Sequence, residues 1–386
     1  MSPPVLTHLG PHTVAWFMRE AWQRRPLLIR QALPGFRAPV TREQMFALAA
    51  CDDVESRCVT ASRGRWKLAH GPFERGALPP AARRNWTLLV QGLDLHLPAA
   101  HALLRRFRFV SDARLDDLMA SYATDGGGVG PHVDSYDVFL LQAQGRRRWR
   151  ISRQRDLALV PDLPLKILAG FRPAAEWVLE PGDLLYLPPG VAHEGVALGE
   201  CITLSVGFRA PAWEELAEPW FLQRAGRAKL RGRYSDPGAR PTRTPGALPA
   251  AMVEQAWQRL SRLRPQRGDA VQMLLSQLTE PKAQVVFDRP RRPVAFEAFA
   301  QAARRGKLRL RADPRSRCLY AGRRFAINGE LCPRSDFGPL LQRLADEREL
   351  DADCLRVAPA PVLTRLHDWV AAGWLHRVTT RGNSDG

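Results

Sequence analysis

The sequence predicts an α+β protein whose central part is a β-sandwich or barrel, followed by a helical segment and a smaller mixed unit. Three observations predict it. Between about 116 and 210, short apolar runs alternate with turn residues and no helical spacing intervenes. After Arg209-Ala210-Pro211 the apolar marks fall at helical intervals over 212–230 and 249–280. Beyond Pro290 to Pro293 come a helix, three short strands and two more helices, the order of a winged-helix unit. A chain of 386 residues accommodates roughly two or three domains at about 150 residues each. We divide it at 1–210, 211–289 and 290–386.

Taken in order, residues 12–24 carry an apolar stripe of Val14, Phe17, Met18 and Trp22, with Thr13 as a cap and Pro26 turning the chain into a short strand, 27–29. Thr41 to Ala50 reads as a second helix, opened by a capping box in Thr41-Arg42-Glu43-Gln44. Residues 56–68 turn strand-like. Asn85 to Leu95 is apolar enough for a buried helix or strand, and the pattern does not choose between them. The expected central strands are 117–123, 132–134, 137–142, 147–151, 176–179, 184–187 and 201–208, punctuated by Gly126-Gly127-Gly128 and Pro188-Pro189-Gly190. A double-stranded β-helix is one fold that accommodates them. Gly232 to Pro249 reads as an exposed connection. The helices on either side of it cannot bury their apolar faces alone and need a neighbouring domain or a second copy. In the last unit we expect a helix at 294–304, strands at 307–312, 317–321 and 324–327, and helices at 335–347 and 360–373.

Composition sets bounds. Hydrophobic content of 45% suits sizeable cores. No apolar run is long enough to span a bilayer, and the first residues lack a basic-then-apolar leader, so a cytoplasmic location is expected. Six scattered cysteines without a CxxC pair suggest neither disulfides nor zinc. A net charge of +18, most of it arginine, fits attraction to an anionic partner such as ribosomal RNA; a solvated surface shaped by base composition fits equally well.

The chemistry concentrates in His132-Val133-Asp134. In an extended strand, side chains i and i+2 share a face, which sets an imidazole beside a carboxylate. Glu180-Pro181-Gly182-Asp183 turns into an apolar run that exits through Pro188-Pro189 and delivers His193 with little freedom. Two histidines and one carboxylate can hold a non-heme Fe(II) on one face and leave the other open for co-substrate and O2. The glycine run ahead of His132 allows close backbone approach. In Gly145-Arg146-Arg147-Arg148-Trp149-Arg150-Ile151, strand alternation turns Arg147 inward with Trp149 and Ile151. An inward arginine needs a carboxylate, and a 2-oxo acid co-substrate would offer one.

Together these stretches resemble the bacterial JmjC-type ribosomal oxygenases. The likeness rests on Gly126 to Phe139, Gly145 to Arg150, the Pro-Gly-Asp run to His193-Glu-Gly, Ser205 to Pro211, and on Trp22 to Pro26 and His70 to Phe73. It is strong over 1–211 and holds in outline beyond. The resemblance implies a JmjC double-stranded β-helix, a helical dimerisation segment and a C-terminal winged helix. It also implies Fe(II) on His132, Asp134 and His193, and 2-oxoglutarate gripped by Arg147 with Ser121 as hydroxyl partner. A core hydroxyl bonded to the backbone is the other reading of Ser121.

Within that family the chain most resembles the enzymes that hydroxylate Cβ of an arginine in large-subunit ribosomal protein sixteen, and that resemblance implies Asp117, Tyr136 and Ser205 as the residues that hold the guanidinium. A cap beside Arg114 is the other role for Asp117, and core packing for Tyr136. The implied partners are a large-subunit ribosomal protein, a second copy of the chain and nearby ribosomal RNA. Two rivals are a histidine hydroxylase of another ribosomal protein and a non-enzymatic basic protein that binds nucleic acid.

Overall fold

The computed structural model describes residues 4–62, 64–74, 76–227, 237, 248–261, 263, 266–332 and 338–378. Thr13 caps the first helix, Val14–Glu20, by accepting a hydrogen bond from the Trp16 N–H, and the strand Leu27–Ile29 follows. The capping box expected at Thr41 is formed: its side chain and that of Gln44 each accept from the other's backbone N–H, and the helix runs Arg42–Leu48. A second short helix pair, Leu93–His96 and Pro98–Arg105, packs beside strand Leu115–Ala123.

The centre is one nine-stranded antiparallel sheet. Its path runs Leu27–Ile29, Leu184–Leu187, Val138–Ser152, Ala192–Phe208, Leu115–Ala123, Trp86–Val90, Ser56–Ser62 and Arg65–His70, and Ala175–Leu179 pairs with Val138–Ser152. Two strands expected as fragments are longer than the sequence suggested. Val138–Ser152 is continuous through 143–146, and Ala192–Phe208 begins nine residues before the expected 201. The missing stretch was hidden by Gly195 and Gly199, residues that ordinarily weaken a strand. Gly195 sits there because Trp149 packs on it: a Cβ would lie 2.7 Å from the indole. The expected strand at 132–134 is not formed. His132 makes a single antiparallel bridge to His193, and Pro131, which has no N–H, precedes it.

One face of the sheet is covered by the N-terminal helices. Phe17 stands edge-on to Tyr186 at 4.9 Å between ring centroids, and Trp22 stands edge-on to Phe208 at 5.1 Å. Phe17, Tyr186 and Phe208 are fully buried and Trp22 partly so, and edge-on pairs add to area burial. The other face is the inside of the roll, where the site lies.

Helices Trp213–Arg227, Ala250–Leu260 and Arg267–Thr279 follow. The expected helix at 249–280 is thus two helices, the first ending at Leu260 and the second starting at Arg267. The connection expected from Gly232 lies largely outside the described residues, as does the start of the helix expected at 335. In the last unit, Phe296–Arg304, Pro339–Glu347, Ala352–Arg356 and Ala360–Ala371 enclose Phe299, Phe325, Leu344, Leu366 and Trp369 against two small sheets. One is Leu310–Ala312 between Glu349–Leu350 and Leu375–Arg377; the other is the hairpin Cys318–Ala321 and Arg324–Ile327 with Glu330–Leu331. Helix Arg267–Thr279 packs on that hairpin. Cys58, Cys201 and Cys318 are buried thiols, and Cys51 is exposed. Among the described residues no helix is long and apolar enough to cross a membrane.

Candidate metal and oxo-acid site

Two turns position the histidines. Asp183, buried in the Pro-Gly-Asp turn, accepts from the Gln31 N–H at 3.0 Å, the Glu180 N–H at 3.0 Å and the Arg30 guanidinium at 2.5 Å. That turn feeds strand Leu184–Leu187 and its proline exit. Gly190 N–H then donates to the Asp134 carbonyl at 2.9 Å, and His132 and His193 exchange backbone hydrogen bonds of 2.9 Å. The segment after Asp134 is pinned by Asp137, fully buried, which accepts from Tyr186 Oη at 2.6 Å, Gln23 Nε2 at 2.9 Å and Arg114 at 2.9 Å. Asp137 and Asp183 carried no sequence signal as supports, because their partners lie up to 153 residues away.

The three side chains converge: ligand atoms of His132, Asp134 and His193 all lie within 4.8 Å of one another. Asp134 Oδ1 is 3.8 Å from His132 Nε2, and Oδ2 is 3.6 Å from His193 Nε2. Each ring nitrogen Nδ1 sits 2.9 Å from a carbonyl, Gly130 for His132 and Val191 for His193. Donation from Nδ1 fixes the tautomer that leaves the Nε2 lone pair free, as ligating histidines require. Burial, aided by the neighbouring His132, holds the His193 imidazolium down to about 3, so the ring is neutral at physiological pH. Burial also pushes the Asp134 carboxyl upward, opposed by His132. A neutral His193 ring, the His132 imidazole beside it and a desolvated carboxylate with no arginine or lysine partner among the described residues make a donor set for a cation. Nitrogen and oxygen donors on one side of an open cavity suit divalent iron.

That cavity has a volume of about 720 Å³, and all eight residues singled out in the sequence line it: Asp117, Ser121, His132, Asp134, Tyr136, Arg147, His193 and Ser205. Arg147, Trp149 and Ile151 are buried as strand alternation requires, whereas Arg146 is exposed. Arg147 donates through one terminal nitrogen to Ser121 Oγ at 3.1 Å. Its Nε and second terminal nitrogen have no hydrogen-bond partner, and it is 4% exposed. A guanidinium held dry without an anion is strongly unfavourable, so the donors await a carboxylate from a ligand. The residues fit a 2-oxo acid that carries a second carboxylate. The glycine run serves this cavity: at Gly128, a Cβ would lie 2.5 Å from the Gly195 carbonyl oxygen.

Toward the mouth, Ser205 pairs across the sheet with Met119 and Leu140, and Tyr136 is partly exposed. Arg114 goes to Asp137, so Asp117 is not its partner. Asp117 instead accepts from Gln91 Nε2 at 2.8 Å and Lys282 Nζ at 2.9 Å. The acidic arginine pocket expected from the sequence therefore already holds a cation. Neither Gln91 nor Lys282 was legible: Gln91 lies inside the stretch Asn85 to Leu95 that read as helix or strand, and Lys282 lies 165 residues from its partner.

Comparison with known proteins agrees with this geometry. The family model described as JmjC domain matches residues 102–216, and the one described as ROXA-like winged helix matches residues 263–376. The chain is 35% identical over 349 residues to the ribosomal protein uL16 3-hydroxylase of Escherichia coli (strain K12), covering 88% of this chain and 91% of that one. It is 36% identical over 215 residues to a probable ribosomal oxygenase of Haemophilus influenzae, covering 55% and 52%. The structure of the Escherichia coli ribosomal oxygenase YcfD in complex with cobalt and 2-oxoglutarate superposes with a TM-score of 0.80 at 31% identity, over 96% of this chain and 99% of that one.

Proposed function

The chain belongs to the JmjC-domain ribosomal oxygenases, and from that premise we propose that it hydroxylates Cβ of an arginine in the large-subunit ribosomal protein uL16, protein sixteen in the older numbering, using Fe(II) and 2-oxoglutarate. The observation that carries the cofactor assignment is the pairing of a His132–Asp134–His193 cluster with a buried, unpartnered guanidinium in one cavity. A non-enzymatic nucleic-acid binder needs neither.

His132 and His193 would hold the metal through Nε2, each ring braced by its Nδ1–carbonyl contact, and Asp134 would supply the charge-balancing ligand. Arg147 and Ser121 would bind the far carboxylate of 2-oxoglutarate. Iron with 2-oxoglutarate and O2 supplies the oxidising power for inserting one oxygen atom into a C–H bond, with succinate and CO2 as the other products. The chain's own part is placement. Buried Val138, Leu140 and Trp149 keep water from the metal side of the cavity. Asp117 and Ser205 offer oxygens to a substrate cation, and Tyr136 offers a ring face.

The reading predicts one added oxygen on a single ribosomal protein. Intact-mass analysis of ribosomal proteins from a deletion strain, incubated with the pure enzyme, Fe(II), 2-oxoglutarate and air, checks it. Fragment ions placing the oxygen on an arginine of uL16 support the assignment. Oxygen on a histidine of another protein would replace it, and no added oxygen on any protein would refute it.

The partner reading extends to a second copy of the chain. Val253, Trp257 and Leu260 follow i, i+4, i+7 spacing along helix Ala250–Leu260, and all three are exposed, as are Trp213, Phe221 and Leu222. A homodimer that buries this stripe is expected, and Trp257→Asp should shift the protein to a monomer in light scattering. A monomeric wild type would contradict it. The net charge of +18 favours ribosomal particles, with RNA at hand, over a free basic protein as the working substrate in the cytoplasm.

A further inference from the structure

Lys282 reaches the substrate side of the cavity from outside the sheet, and its route is built. Helix Arg267–Thr279 is pinned at its end to the turn of the C-terminal hairpin: the Gly329 N–H donates to Thr279 Oγ1 at 3.0 Å, and Ser276 Oγ donates to the Gly329 carbonyl at 2.5 Å. Arg209, leaving the last strand of the roll, donates to the Leu278 carbonyl at 3.1 Å. Pro281 stops the helix, and a turn closed by the Val285 N–H on the Lys282 carbonyl, 2.9 Å, fixes the residue between the two units. Its ammonium then lies 2.9 Å from Asp117 Oδ2 and 3.6 Å from Asp116 Oδ1. Lys282 falls within the stretch 263–376 matched as winged helix, so the C-terminal module places a charge on Asp117, a residue that lines the cavity on the oxygenase sheet.

The contact is asymmetric. Gln91 and Lys282 both bind Oδ2 of Asp117, whereas Oδ1 has no hydrogen bond among the described residues. Oδ1 lies 3.6 Å from where a Cβ would stand on Gly207, itself a lining residue. The free oxygen thus faces the cavity wall near Ser205. The other charges around it are Asp94, Asp116, Arg209 and Arg317, with Tyr136 across the cavity. Arg209 and Arg317 are spent on Asp116, at 3.7 and 3.4 Å. Asp94, fully buried, is pushed up to about 7 by desolvation and by the Asp117 charge. Lys282 is therefore the cation in contact with Asp117 among the described residues.

We propose that Lys282 is a positioning residue for the substrate cation: with Gln91 it holds Asp117 turned by its Oδ2, leaving Oδ1 to accept one N–H of the incoming guanidinium. The inference rests on the arginine-hydroxylase reading above. Without Lys282, Asp117, 3% exposed, would keep only Gln91 on Oδ2 and lose the contact that fixes its orientation toward the cavity. A substrate cation would then have to order that carboxylate itself on binding. The C-terminal module is, on this account, part of substrate binding and not an appended reader of nucleic acid.

The test uses the full-length protein carrying Lys282→Met, Lys282→Gln or Lys282→Arg, and two peptides, one with the target arginine and one with citrulline at that position. Lys282→Met should raise KM for the arginine peptide by about tenfold or more while kcat stays within about twofold. Preference for arginine over citrulline should fall toward parity, and Lys282→Arg should restore both. Lys282→Gln reads the same quantities if the methionine variant does not fold. Unchanged KM and unchanged preference in the folded variants would overturn the proposal, as would equal losses in kcat and KM without rescue by arginine. Binding of 2-oxoglutarate with Mn(II), followed by tryptophan fluorescence, separates the layers. If the wild type fails to bind it, the oxygenase reading falls and this inference with it; if it binds and KM does not move, only the inference falls.

Discussion

Alanine at His132, Asp134 or His193 is expected to eliminate hydroxylation. Losing even a supporting group around a metal ligand costs roughly 10–100-fold in affinity or activity, and losing a ligand outright should exceed that. The three are not equal in their consequences for folding. His193 is 2% exposed and its backbone is bonded to that of His132, so a cavity at 193 disturbs the sheet as well as the site. His132 and Asp134 sit outside regular strands with partly exposed side chains, and their alanine variants should keep the wild-type unfolding temperature. Succinate release from those two variants, measured on metal-analysed protein with circular dichroism as the folding control, checks the expectation. Full turnover in either would remove it from the ligand set.

Replacing Arg147 by methionine should act on a different quantity. The side chain keeps its packing against Trp149, 5.9 Å from the ring centroid in the native protein, but loses the donors that await an anion. Truncating one partner of a buried, hydrogen-bonded charge pair costs about 2–5 kcal/mol, which is a weakening of roughly 30-fold or more. The 2-oxoglutarate requirement should rise by that factor. The variant should also be no less stable than wild type without ligand, because an unpaired buried guanidinium is a cost to the free protein. Titrating 2-oxoglutarate in steady state and comparing thermal midpoints with and without it tests both halves. An unchanged KM for 2-oxoglutarate would place the oxo acid elsewhere.

How much of this was legible in the sequence follows from the distance between partners. His132 and Asp134 are two apart, and one of them was visible from the other. Arg147 was legible because alternation along a strand needs only its neighbours, and Arg146 and Trp149 supplied the contrast. The capping box at Thr41 and Gln44 was equally local. Asn85 to Leu95 resisted because Trp86–Val90 is buried at every residue between two other strands, which erases the period-two signal that would have marked it. Helix Pro98–Arg105 begins at a proline with no side-chain cap, and so gave no start signal beyond the proline itself. The strand expected at 132–134 failed for a related reason. Its residues converge on the cavity through a single bridge and the pinning of Asp137, both set by distant partners. Lys282 is the extreme case, since nothing near it in sequence marks it as a partner of Asp117, which lines the pocket on the sheet.

The account depends on one divalent ion and one oxo acid meeting in the same cavity. Anomalous diffraction from crystals grown without oxygen in Mn(II) and 2-oxoglutarate tests this most directly. A single manganese peak bonded to His132 Nε2, His193 Nε2 and a carboxylate oxygen of Asp134, with a ligand carboxylate on Arg147, is the predicted result. A peak elsewhere, or Arg147 still facing no anion while manganese is bound, would contradict it.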